Sequence, residues 1–449
     1  MNTITPREES YKDASARPIR GTVADIIFIL FIVGGQSYFF GLINPQWFYV
    51  SGFFDIRMPL ILYCTILTFL MLRNRWVLSF FPSSKTIFFI AAYVIIQFIF
   101  SSIQFGIYNA FKVFRYYCLP LVGIGPLLYV IAISRERQLR LLRWVFIATV
   151  VQGFFYILYI AGFSVFYTPT EQSTFYGLDK LRFNQAFPLF TSFVISASLL
   201  FIIYEKRFSF SISFFILIYA TILYATRSVI ILIFFSGAMI ALLAMFKKGS
   251  RVLGIFALFS IFAFLGFIFF ITIFPDYSEF VFGRFLEITG DEGLRGAANY
   301  KLRISYLENV LADMTTLKNT LFGHGYEAQL TRDLWCIGTE TTDIGMQGDA
   351  PIAGLLFTEG FVGLALRALP FLILFFIHLR LFLLSNNSED IIISTLIIVM
   401  ISGNALAWLQ TTALRELPLS ILPYFILHNL HSSNRSVLYS ELSNSQGNI

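Results

Sequence analysis

The sequence predicts an all-α, polytopic membrane protein of about twelve transmembrane helices with one large external loop. Three observations carry that expectation. Of 449 residues, 57% are hydrophobic, only 13% are charged and 54 are Phe, with a mean hydropathy of +0.75. Soluble domains hold about 25% charged residues, so this composition excludes an ordinary soluble enzyme. Apolar runs long enough to cross a bilayer recur along the chain, separated by short polar connections. One segment alone, 275–350, breaks that rhythm.

Residues 1–21 carry Arg7, Lys12, Arg17 and Arg20 without an apolar run or cleavage site, and read as a cytoplasmic tail. The membrane domain, 22–274, is expected to hold helices near 22–42, 58–72, 86–106, 116–133, 142–166, 185–204, 208–225, 229–246 and 252–274. After the loop, the C-terminal membrane helices of 351–431 fall near 352–384, 390–408 and 417–431, followed by a tail at 432–449. In "APIAGLLFTEGFVGLAL", Glu359 and three glycines interrupt the apolar run, so this helix is expected to be broken or re-entrant.

Cytoplasmic connections of membrane proteins carry the excess of Lys and Arg. With the N-terminus inside, the inner segments hold 18 such residues, among them Arg135, Arg137, Arg140, Arg143, Lys206, Arg207, Lys247, Lys248 and Arg251. The short outer loops then hold 7: Arg57, Lys112, Arg115, Lys180, Arg182, Arg227 and Arg415. Both termini are therefore expected in the cytoplasm. The net charge of +6 is spread over these flanks and forms no nucleic-acid patch. Cys64, Cys118 and Cys336 are odd in number, and no disulfide framework is expected.

The long loop is acidic, with 12 Asp and Glu against 6 Lys and Arg from 276 to 350, and a loop of that length is usually functional unless disordered. Within it, Ile304, Leu307, Val310, Leu311, Met314 and Leu317 recur at three- and four-residue intervals, predicting an amphipathic helix started near Asn299. The glycines of "NTLFGHGYE" end that helix and turn the chain.

The chemistry is expected where external cations gather. Arg115, Arg182, Arg227 and Arg303 lie on the outer side, where positive charge does not serve orientation. Guanidinium forks match phosphate oxygens, so converging arginines suit a pyrophosphate on a membrane lipid. Arg227, in "YATRSVII", stands at the mouth between two very apolar helices; the competing reading is a side chain snorkelling to headgroups. Lys112 and Arg115, three apart, share one helical face if their segment is helical. Arg182 precedes a helix start, where a cap or loop ion pair is the alternative. Arg303 sits on the loop helix, where a solvated charge is the alternative.

Asp349, directly before an apolar helix, is either its N-cap or a general base toward a sugar hydroxyl. Glu359 reads as a group satisfied by a neighbouring helix. His324 is the one external histidine, and a turn role competes with substrate binding. His428 and His431 have no third ligand in reach, so no metal site is expected. No nucleophile elbow or glycine-rich phosphate loop occurs.

Three stretches together resemble the O-antigen polymerase and O-antigen ligase superfamily of bacterial polysaccharide assembly. "YATRSVIILIFFSGAMIALLA" is similar to that family's arginine pattern opening an apolar helix. "LRISYLENVLADMTTLKNTLFGHGYE" looks like its loop arginine, helix and "P-L-F-G-x-G" turn, here Leu321, Phe322, Gly323 and Gly325. "DAPIAGLLFTEGFVGLAL" is similar to its post-loop helix with paired glycines, Gly360 and Gly363.

The resemblance implies the helical fold of C-type glycosyltransferases. It also implies a polymerase that moves a growing glycan from undecaprenyl pyrophosphate to a hydroxyl of another lipid-linked oligosaccharide, with no metal or cofactor. Arg227 and Arg303 would meet the pyrophosphate, Lys112, Arg115 and Arg182 would support them, His324 would touch the glycan or pyrophosphate, and Asp349 would serve as base. Membrane lipid, a chain-length regulator and a flippase are the implied partners. Ligases of the family often carry His-Asn where this chain has Asp349 and Ala350, which weakens the ligase alternative. A lipid-glycan transporter is the third reading, disfavoured because charge gathers outside and no internal repeat is present.

Overall fold

The computed structural model describes residues 84–117, 135–160, 163, 172–175, 178–181, 186–224, 227–273, 307–326, 351–408 and 426–427. These are helical apart from one hairpin. Before the loop come α1 (Ser84–Phe105), α2 (Ile107–Tyr117), α3 (Arg135–Ile160), β1 (Gln172–Phe175), β2 (Leu178–Leu181), α4 (Ala186–Glu205), α5 (Phe210–Tyr224), α6 (Arg227–Lys248) and α7 (Arg251–Ile273). The loop contributes α8 (307–313) and α9 (Leu317–Phe322), and α10 (Pro351–Leu384) and α11 (Ser388–Trp408) follow.

Eight helices fall close to the expected spans. The helices expected near 22–42 and 58–72, and most of 116–133 and 417–431, lie outside the described residues. Among the described residues, two helices, Glu136–Leu158 and Ile352–Leu384, are long and apolar enough to cross a membrane.

Helices that are apolar on every side belong in the middle of a bundle. This holds for α4, which is buried continuously from Phe190 to Leu200 and packs against α3, α5, α6 and α11. It holds equally for α11, buried from Ile391 to Ile401 between α4, α6 and α10. Small residues let these backbones approach: a Cβ on Gly403 would lie 2.6 Å from Leu232 of α6, and one on Gly153 would lie 2.7 Å from Leu217 of α5. Outward faces stay apolar, with Phe100 65% exposed on α1, Phe246 71% on α6 and Phe269 67% on α7.

Side-chain contacts fix the direction of each helix. Lys247, at the end of α6, donates to the carbonyls of Leu383 and Ser385 at 3.1 and 3.0 Å, closing the end of α10. Lys248 donates to Ile203 at 3.1 Å and lies over the Tyr204 ring, closing the end of α4. A cation beside the last carbonyls of a helix is favoured by its dipole. Burial and the nearby Lys206 push the Lys248 ammonium below the usual lysine range.

So α4, α6 and α10 run parallel and finish at one end of the bundle. Phe146 of α3 packs edge-on against Phe210 at the start of α5, which brings the beginnings of α3 and α5 to that same end. Arg135, Arg137, Arg140, Arg143, Lys206, Arg207, Lys247, Lys248 and Arg251 therefore form a basic collar at one end. The opposite end collects the close of α1, the starts of α4, α6 and α10, helix α2 and the loop segment 307–326.

Two local departures from the sequence reading have physical causes. Residues 107–117 form a separate amphipathic helix after Gly106 (φ 85°), with Ala110 and Val113 buried and Ile107 and Tyr108 exposed. The loop helix is two helices. α8 ends at 313, and Thr316 caps α9 by accepting from the Asn319 amide at 3.2 Å. Leu307, Val310 and Met314 pack on Ala353, Leu356 and Phe357, while Leu311 on the outer side of α8 is 47% exposed and Leu317, after the restart, is 76% exposed.

Candidate functional site

Helix α10 is broken where the sequence predicts interruption. Gly360 has φ 66° and ψ −168°, a conformation essentially restricted to glycine. An unbroken helix would use the carbonyls of Phe357, Thr358 and Glu359 for the amides of residues 361–363. Here they go elsewhere. Phe357 O accepts from the His324 amide at 2.7 Å and Thr358 O from the Gly325 amide at 3.1 Å. Glu359 O accepts from the Tyr93 hydroxyl at 2.7 Å. The turn "FGHGYE" thus fills the gap in α10.

The fit is backbone on backbone. A Cβ on Gly323 (φ 72°) would lie 2.5 Å from the Thr358 carbonyl carbon, and one on Gly360 would lie 2.5 Å from Leu321. One polar stripe on α1, Tyr93, Gln97 and Ser101, holds this junction from the side. Gln97 donates to Phe322 O at 2.9 Å and Ser101 Oγ accepts from the Tyr326 amide at 2.8 Å.

Beneath the junction lies a sealed ion pair. Glu359 is 0% exposed; Arg367 Nε donates to its Oε2 at 2.9 Å, Arg367 Nη2 to Oε1 at 2.5 Å, and the Tyr326 hydroxyl to Oε1 at 2.7 Å. Arg367 is two turns below Glu359 on the same helix. Gly363, midway between them, makes this possible, since a Cβ there would lie 2.3 Å from Glu359 Cβ and 2.7 Å from Oε2. Glu359 is thereby satisfied within its own helix and by the loop, where the sequence reading gave it to a neighbouring helix. A carboxylate so enclosed is a structural lock. Phe114 of α2 packs edge-on against Tyr326, tying α2 into the same assembly.

No family model matches this chain, and no curated protein matches it. The site is therefore argued from its own geometry.

Arg227 is the first residue of α6, as its motif suggests. Lys112 and Arg115 are both on α2, at three-residue spacing. All three helical positions are at the junction's end of the bundle. Arg182 and Asp349 lie four and two residues before the starts of α4 and α10 in the chain, and with Arg303 they fall outside the described residues.

His324 is at the junction itself. Its ring stacks on Phe357 with centroids 4.7 Å apart, and its Nε2 lies 2.8 Å from Asp313 Oδ2 at the end of α8. Among the described residues no group of three His, Cys, Asp or Glu side chains could hold a metal ion.

Sequence reasoning passed over Arg367, Tyr326, Asp313 and the α1 stripe. For two of these a signal was present. Glu359, Gly363 and Arg367 recur at four-residue intervals, as do Tyr93, Gln97 and Ser101, which places each set on one helical face.

Proposed function

We propose that this chain is a multi-pass inner-membrane polymerase of lipid-linked oligosaccharide repeat units, working on the periplasmic face with both termini in the cytoplasm. One observation carries the reading. The loop turn and the paired-glycine helix, two of the three stretches behind the resemblance, interlock at the end of the bundle where α6 begins with Arg227. The basic collar at the opposite end supports the orientation, because cytoplasmic flanks hold the excess of Lys and Arg. The exposed phenylalanines of α1, α6 and α7 support lipid contact, since soluble proteins rarely leave such faces open.

A helix N-terminus attracts anions through its unpaired amides and dipole, and it disfavours a cation unless an anion is present. Arg227 at the head of α6 therefore suits a pyrophosphate, joined in this proposal by Arg303, Arg115, Lys112 and Arg182. Their charge would stabilise the departing undecaprenyl pyrophosphate while the acceptor hydroxyl attacks the anomeric carbon of the growing glycan. The energy of the linkage drives transfer, so no nucleotide is required outside the cell.

Purified protein incubated with lipid-linked repeat units tests the reading. Longer glycans on lipid support a polymerase. Transfer that requires a separate lipid or protein acceptor makes the protein a ligase. Unaltered lipid moved between leaflets makes it a transporter.

A further inference from the structure

We propose that His324 and Asp313 form a catalytic dyad in which His324 is the general base of the glycan transfer and Asp313 its positioning residue. This rests on the polymerase reading and names the base within that site, in place of Asp349.

The turn does not need an imidazole. The amide of His324 already supplies the turn's contact, donating to Phe357 O at 2.7 Å, and any residue but proline provides that amide. His324 also lacks the positive φ of its neighbours Gly323 and Gly325. The side chain nevertheless occupies a defined position. One face lies on Phe357, and Nε2 meets Asp313 Oδ2 at 2.8 Å, with both of these atoms shut off from solvent. The side chain as a whole keeps 15% of its surface exposed.

A carboxylate on one ring nitrogen fixes the tautomer and leaves the other nitrogen to accept a proton. Nε2 is the ring nitrogen beside the Asp313 carboxylate, so Nδ1 is the accepting atom. Histidine is the side chain most often used for this task, once it is held and oriented. Asp313 comes from α8, seated by Val310 on Ala353, Leu356 and Phe357, and His324 comes from the turn that fills the break in α10. Both partners are thus carried by the first turns of α10, at the end of the bundle where α6 begins.

The step balances without a co-reactant. The acceptor hydroxyl gives its proton to His324 Nδ1 as its oxygen bonds to the anomeric carbon of the growing glycan. The bond from that carbon to the pyrophosphate oxygen breaks, and its electron pair leaves with undecaprenyl pyrophosphate. The imidazolium then releases its proton to water.

The test uses the full-length protein in lipid nanodiscs with lipid-linked repeat units, comparing wild type with His324→Gln, His324→Ala, Asp313→Asn and Asp349→Asn. In His324→Gln, kcat is expected to fall by at least about 100-fold while KM stays within about threefold. Asp313→Asn is expected to lose at least about tenfold in kcat at unchanged KM. Added imidazole should restore part of the activity of His324→Ala, and Asp349→Asn separates the two candidate bases. Asp313→Asn keeps the ring, its stacking and the turn, so it decides the matter if His324→Gln misfolds. Elongation by His324→Gln at the wild-type rate, a loss confined to KM, or a loss unique to Asp349→Asn overturns the dyad alone. A wild-type protein that leaves the repeat units unextended overturns the polymerase reading, and the dyad with it.

Discussion

Gly360 lies against Gly323 so closely that a Cβ on Gly360 would sit 2.6 Å from the Gly323 amide nitrogen. Both residues have φ near 70° with extended ψ, at 66° and −168° for Gly360 and 72° and −173° for Gly323. Alanine at either position is strained by about 1–3 kcal/mol even before the collision with the facing backbone. Gly360→Ala and Gly323→Ala are therefore expected to lower the unfolding midpoint of the detergent-solubilised protein and to cut elongation at least tenfold, by about 1.4 kcal/mol or more. A Gly360→Ala protein that melts like wild type would show that the loop is not seated in the break.

The Glu359–Arg367 pair gives a sharper stability test. Removing one member of a buried pair strands the other, at a cost of about 3–5 kcal/mol. Arg367→Met should reach that range. The double variant Glu359→Gln/Arg367→Met keeps an acceptor for the Tyr326 hydroxyl and removes the stranded charge, so it should recover most of the loss. Denaturant unfolding of the four proteins as a double-mutant cycle measures this. Equal losses in the single and double variants would contradict the pairing.

Tyr326→Phe deletes one donor to the same carboxylate without changing shape. A hydrogen bond to a charged group contributes about 1.5–3 kcal/mol, and the expected loss falls in that range. Limited proteolysis of the loop in the variant and wild type gives an independent readout, with faster cleavage expected for Tyr326→Phe.

Arg227→Ala and Arg303→Ala are expected to abolish chain elongation with protein levels intact. The effect should appear as at least about a 100-fold drop in the rate of glycan lengthening, the scale seen when charge stabilisation of a leaving group is removed. Normal lengthening in both variants would remove these arginines from the site.

Lys247 and Lys248 make a prediction at the other end. Each closes a different helix, so Lys247→Gln and Lys248→Gln should each cost about 0.5–1 kcal/mol and combine additively, since they act on separate partners. Thermal melts of the single and double variants check this.

Much of the helical pattern was legible because apolar run length reports directly on it. The runs expected at 86–106, 229–246 and 352–384 lie close to α1, α6 and α10. The break at Gly360 was visible as a cluster of glycines around an acid. What occupies that break was not, because Tyr326 and Tyr93 meet Glu359, and Gln97 meets Phe322, only through long-range packing that periodicity cannot report. Leu311 and Leu317 misled for a related reason. Their spacing continues a single helical face, but Leu311 already faces outward on α8, and the Thr316 cap restarts the helix with Leu317 outward. Arg367 was hidden by its setting, a lone cation in an apolar run whose partner lies two turns away across a glycine. For the candidate site, sequence reasoning singled out His324 as a binding candidate, and the placement of Asp313 beside it required the fold.

The turn at residues 323–326 meets α10 rung by rung, with consecutive amides on consecutive carbonyls. Such a match works as a ruler for the chain. Adding or deleting a single residue between Gly323 and Tyr326 would move every later donor out of step and leave a main-chain oxygen facing apolar side chains. The span is therefore locked in length as well as in composition.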